Sequence, residues 1–114
     1  MAVPFSRFRE ADGLVFAAGQ IHINEKLELV GETTEEKVHQ CMKNVEKILS
    51  EAGLELSDVV NTTIYLTDMS DYPALNEVYG TYFSAPYPAR TAVCVKELPL
   101  GASIEIAVVA AKKS

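Results

Sequence analysis

A chain of 114 residues, 48% hydrophobic and 23% charged with only 6 Gly and 5 Pro, has the composition of a soluble globular protein, read here as one domain, 1–114. Its formal net charge of −6 argues against avid nucleic-acid binding, which rests on Lys and Arg neutralising phosphates. No apolar run approaches the roughly 18 residues of a membrane span, and "MAVPFSRFRE" lacks the apolar core of a signal peptide, so a cytoplasmic location is expected.

The first predicted elements are two short strands, from "FSRFRE" and from Leu14 to Ile23, "LVFAAGQIHI", with Asp12-Gly13 as the hairpin turn between them. His22 alternates with Ile21 and Ile23, which points it away from them and, by default, to solvent. Thr33-Thr34-Glu35-Glu36 then carries a capping-box pattern. Val38, Cys41, Met42, Val45, Ile48, Leu49 and Ala52 follow at three- and four-residue spacing, and Gly53 suits the helix end. Cys41 belongs to that apolar face.

Asp58 to Asp68, "DVVNTTIYLTD", reads as a strand. Asp71 is the expected N-cap of a second helix, with Pro73 in its first turn and Leu75, Val78, Tyr79 and Tyr82 as its apolar stripe. Tyr72, Tyr79, Tyr82 and Phe83 read as helix packing. Two strands, "ARTAVCVKEL" and "ASIEIAVVAAKK", close the order around a turn at Pro99 to Gly101. Two helices can cover only one face of such a sheet, so the expectation is an α+β, two-layer sandwich whose other face needs a partner.

The last strand raises a chemical question. Ile104, Ile106, Val108 and Ala110 alternate with Glu105, Ala107, Val109 and Ala111, so Glu105 sits on a second apolar face. An unpaired buried carboxylate costs several kcal/mol, and Arg90, at the mouth of a neighbouring predicted strand, is the candidate partner. Taken alone, such a pair reads first as a structural salt bridge and only second as a functional site. Cys41, Cys94, His22 and His39 show no metal-ligand spacing, and no phosphate-binding glycine motif is present. Cys94 follows Arg90 and Ala92 at two-residue spacing, so it shares their strand face, with no base beside it in sequence to make it a nucleophile.

"YPARTAVCVKELPLGASIEIAVVAA" resembles the closing signature of the reactive-intermediate deaminase family, the RidA or YjgF-like proteins: Pro-Ala-Arg, a short strand, Leu-Pro with a following Gly, then Ile-Glu-Ile. "PFS" at Pro4 to Ser6, "AAGQI" at Ala17 to Ile21 and "EAGLELSDVVNTTIYLTDMSDYPALNEVY" at Glu51 to Tyr79 extend the resemblance over nearly the whole chain. It implies a chorismate-mutase-like mixed sheet with two helices on one face, assembled as a homotrimer with intersubunit clefts. It also implies hydrolysis of 2-enamine and 2-imino acids, such as 2-iminobutanoate and 2-iminopropanoate, to 2-oxo acids and ammonia, without metal or cofactor.

By the same resemblance, Arg90 grips the substrate carboxylate, the backbone N–H of Ala92 assists it, and Glu105 activates the attacking water. Gly19 lines the cleft with its backbone, and Asn76 lies near it on the second helix. Phe5 and Ala18 stand where relatives carry tyrosine and serine, so two hydroxyls are missing. A slower deaminase, or one preferring bulkier or more apolar imino acids, is expected. Two other readings stay open: an endoribonuclease or translation inhibitor, as some family members have been described, and a non-catalytic binder of small carboxylates.

Overall fold

The computed structural model describes residues 3–113. Strand β1 (Phe8–Ala11) and β2 (Leu14–Ala17) form the expected hairpin. Asp12 and Gly13 both take positive φ, 51° and 78°, as a two-residue hairpin turn of this twist requires.

The single strand expected from Leu14 to Ile23 is broken. After β2 the chain makes a short strand β3 (Gln20–Ile21), and both pair with β6 (Ile104–Ala111). Between the pairs Phe16–Val109 and Gln20–Ile106, three residues (Ala17, Ala18, Gly19) face two (Ala107, Val108), so the chain bulges there. Local hydrogen bonds hold the bulge: the Ala18 N–H donates to the Arg7 carbonyl at 2.9 Å, and Gln20 Nε2 donates to the Ala18 carbonyl at 3.0 Å.

Helix α1 (Thr34–Glu51) follows the sequence pattern closely. Its capping box is complete, with the Glu36 N–H on Thr33 Oγ1 (3.1 Å) and the Thr33 N–H on Glu36 Oε1 (3.0 Å). At the other end Leu54 N–H reaches the Leu49 carbonyl and Gly53 N–H the Ser50 carbonyl, the two bonds of a Schellman motif. Val38, Cys41, Met42, Val45, Ile48 and Leu49 are all buried.

Strand β4 (Val59–Leu66) leads to α2 (Tyr72–Gly80). Asp71 occupies the N-cap position but its side chain makes no cap bond; Asp71 Oδ1 instead accepts the Thr34 hydroxyl at 3.0 Å, fastening the starts of the two helices together. Capping passes to Asp68, which accepts the Ser70 N–H at 2.9 Å and starts a short 3₁₀ turn before α2. The helix returns the chain to β5 (Ala89–Cys94), parallel to β4 as a helical crossover demands.

The sheet order is β1-β2-β6-β4-β5, with β3 also on β6, and every pair except β4–β5 is antiparallel. Both helices cover the face of Ile104, Ile106, Val108 and Ala110, which carries the core with Ile64, Leu66 and Leu75. The architecture is α+β with a mixed sheet and two helices. On the opposite face Glu105, Ala107, Val109 and Ala111 are half-buried, and Phe16 is 46% exposed.

His22 is not in solvent: it is 3% exposed. Its Nδ1 meets the Val30 carbonyl at 3.0 Å, and the Ser103 N–H donates to its Nε2 at 3.1 Å. The alternation rule failed because β3 ends at Ile21 and the chain turns into the segment that returns at Val30.

Candidate active site

The predicted site residues fall into two groups on opposite faces of the sheet. Glu105 lies opposite Ile21 on one side and Tyr65 on the other, on the open face. The bulge sets Gly19 against it so closely that a Cβ on Gly19 would lie 2.9 Å from Glu105 Cδ and nearer still to Oε2. Ala18 is half-buried beside Gly19 in the same bulge. Among the described residues the Glu105 carboxylate has no hydrogen-bond or ion-pair partner, and burial pushes its pKa above the usual carboxylate range.

Arg90 belongs to the other face. Its register partner is Thr62, which in turn lies opposite Val108, so its side chain projects toward the helices. There Arg90 Nη2 donates to the Tyr72 hydroxyl at 2.8 Å, and the guanidinium sits 5.6 Å from the Tyr72 ring centroid and 5.1 Å from that of Tyr79. Tyr79 is fixed from below by its own hydroxyl, which donates to the buried Thr62 Oγ1 at 3.0 Å. Ala92 shares the face and packs on the core.

Asn76 lies four residues after Tyr72 and three before Tyr79, on the same side of α2. Its Oδ1 is buried without a hydrogen-bond partner among the described residues.

The expected Arg90–Glu105 pair is therefore not made within one chain. Strand β4 separates β5 from β6, and the two side chains leave the sheet in opposite directions. Phe5 is 65% exposed ahead of β1, in neither group. Cys94 is exposed, whereas Cys41 is buried, and burial together with the Glu105 charge holds its thiol firmly protonated.

The sequence reading missed Tyr72 and Tyr79, which do more than pack: they form the aromatic seat of the Arg90 guanidinium. The signal was available in their seven-residue spacing with a polar Asn76 between them, a pattern that places all three on one helical face. Chemically, one face presents a guanidinium with no carboxylate partner among the described residues, suited to a planar anion. The other presents a half-buried carboxylate of raised pKa, suited to accept a proton.

The family model described as Endoribonuclease L-PSP matches residues 1–112. A RutC family protein of Aquifex aeolicus is 46% identical over 96% of this chain and 89% of its own length. The 2-iminobutanoate/2-iminopropanoate deaminase of Mus musculus is 37% identical over 94% of this chain and 80% of its own. Among solved structures, RidA from the Antarctic bacterium Psychrobacter superposes with a TM-score of 0.91 at 36% identity, covering 97% of this chain and 90% of that one. A match over this span, in sequence and in fold, places the chain in the YjgF/RidA family.

Proposed function

We propose that this protein hydrolyses 2-imino and 2-enamine acids to 2-oxo acids and ammonia, in clefts between the subunits of a homotrimer. The observation that carries this reading is a pair of charges with no counter-charge among the described residues: Arg90 on its tyrosine seat and Glu105 against Gly19. Within a chain they face apart, so a shared site needs Arg90 of one subunit and Glu105 of the next. The open sheet face, with Phe16 and Val93 exposed, offers apolar area for that assembly. The deaminase name of the mouse relative supports the reaction class.

In this scheme Arg90 holds the substrate carboxylate with the Ala92 backbone N–H beside it, which fixes the adjacent C=N carbon. Glu105 takes a proton from water as the water oxygen bonds to that carbon and the C=N π pair moves to nitrogen. The carboxylic acid so formed returns its proton to nitrogen. The C–N bond then breaks, the hydroxyl oxygen closes to a carbonyl, and the hydroxyl proton leaves through Glu105. The balance is iminium plus water giving 2-oxo acid plus ammonium. Gly19, without a side chain, lets the backbone approach the carboxylate, with Ala18 beside it, and Asn76 stands on the tyrosine side of α2 near the Arg90 anchor. Phe5 brings an apolar ring where a hydroxyl would favour small polar substrates.

The test is the release of 2-oxobutanoate and 2-oxopropanoate when the protein is added to a dehydratase generating the imines, in a buffer that slows their spontaneous hydrolysis. Acceleration by the wild type and its loss in Arg90→Ala is the expected result. A folded protein that gives no acceleration would overturn it.

A further inference from the structure

We propose that Tyr72 is a substrate-binding residue whose phenolic proton goes to the same carboxylate that Arg90 grips. The inference rests on the reading of Arg90 as a carboxylate anchor. A phenol has one proton to give and lone pairs to receive, whereas a guanidinium only gives. In the 2.8 Å contact between them Tyr72 must therefore be the acceptor. Its own proton has no acceptor among the described residues.

Tyr79 differs in this respect. Its ring lies against the same guanidinium, but its proton is spent on Thr62 Oγ1 inside the core. Of the two seat tyrosines, only Tyr72 is free to donate outward, and it is half-buried where Tyr79 is buried.

Accepting a hydrogen bond from a cation polarises the phenol and makes it a stronger donor. A carboxylate has about four lone-pair sites, enough to receive the guanidinium and the phenol together. Tyr72 then supplies, from the second helix, a hydroxyl at a site where Phe5 and Ala18 supply none. It biases the cleft toward ligands with a full carboxylate over those with a neutral carbonyl, because the anion takes both donors more strongly.

The experiment compares wild type, Arg90→Ala, Tyr72→Phe and a protein carrying 3-fluorotyrosine at position 72. Each is measured for 2-oxobutanoate affinity by calorimetry and for imine hydrolysis, at a slightly acidic pH where the fluorinated phenol keeps its proton. Tyr72→Phe retains both rings, and its thermal transition checks the fold. The expected result is a roughly tenfold loss of affinity and rise in KM in Tyr72→Phe, with kcat changed less than about twofold.

The fluorinated phenol is a better donor and a poorer acceptor, so it tightens binding if Tyr72 donates to the ligand. Looser binding would mean that the hydroxyl only positions Arg90, and would overturn the proposal. So would a Tyr72→Phe protein indistinguishable from wild type, with Arg90→Ala inactive and the deaminase reading intact. Wild-type binding unchanged in Arg90→Ala, or no binding and no turnover by the wild type, would remove the anchor reading and this inference with it.

Discussion

Glu105 combines a functional demand with a stability cost. Its carboxylate is half-buried and without a partner among the described residues, so the charged form that can accept a proton is also the form the fold disfavours. Glu105→Gln is expected to stop turnover, keep 2-oxo acid binding, and raise the melting temperature at neutral pH by a few degrees. A melting temperature lowered by the substitution would show that the carboxylate has a stabilising partner. Because the base works deprotonated, kcat/KM should climb with pH through a value above the ordinary 4.5 of glutamate and then level.

His22 has the opposite sign. Burial, its largest influence, lowers its pKa below 6.5, so the unfolded chain takes up a proton before the folded one does. Its contribution to stability is complete above pH 6.5 and is lost as pH falls toward the lowered folded value. A protonated ring would also point a second N–H at the Ser103 N–H. Unfolding measured against pH in the Glu105→Gln background, where the opposing carboxyl slope is absent, should show stability falling on the acid side of 6.5.

At the scale of elements, the bulge of Ala17, Ala18 and Gly19 against Ala107 and Val108 is what aims the backbone at Glu105. Gly19→Ala would put a methyl into the carboxylate. The far end of a glutamate can swing aside, so the expected outcome is activity reduced at least about tenfold with a melting temperature within a few degrees of wild type. Retained activity would mean that Glu105 works from another position.

Helix α1 was legible residue by residue because its signals are local: Thr33 and Glu36 at one end, Gly53 at the other, and a stripe between them. The bulge was not, since nothing within "LVFAAGQIHI" records that two parts of β6 lie beside it with one residue fewer. The same holds for the placement of β5. Its sequence shows a strand and shows Arg90, but not that β4 would come between it and Glu105. Asp71 looked like a cap because of its type and its place before Pro73, and Thr34, 37 positions earlier, claimed its oxygen.

For the whole molecule, the opposite orientations of Arg90 and Glu105 predict complementation. Arg90→Ala and Glu105→Gln should each be inactive alone. When the two are unfolded together and refolded as mixed oligomers of the proposed kind, with each cleft between neighbouring subunits, about a quarter of the clefts should receive both native residues, and activity should return to about that fraction. No recovery, with mixed assembly demonstrated, would mean that Arg90 and Glu105 do not share a cleft between subunits. The net charge of −6 belongs to this scale too, and it weighs against the ribonuclease in the matched family's description.

The order of the sheet also bears on how the protein comes to be made. Strand β6 is the last of the six to be synthesised, yet it lies in the middle, with β2 and β3 on one side and β4 on the other. Until it emerges from the ribosome, the amino-terminal hairpin and the β4–α2–β5 unit have no strand to join them. The nascent chain therefore carries exposed apolar strand edges until β6 follows, and folding to the native sheet waits for that strand.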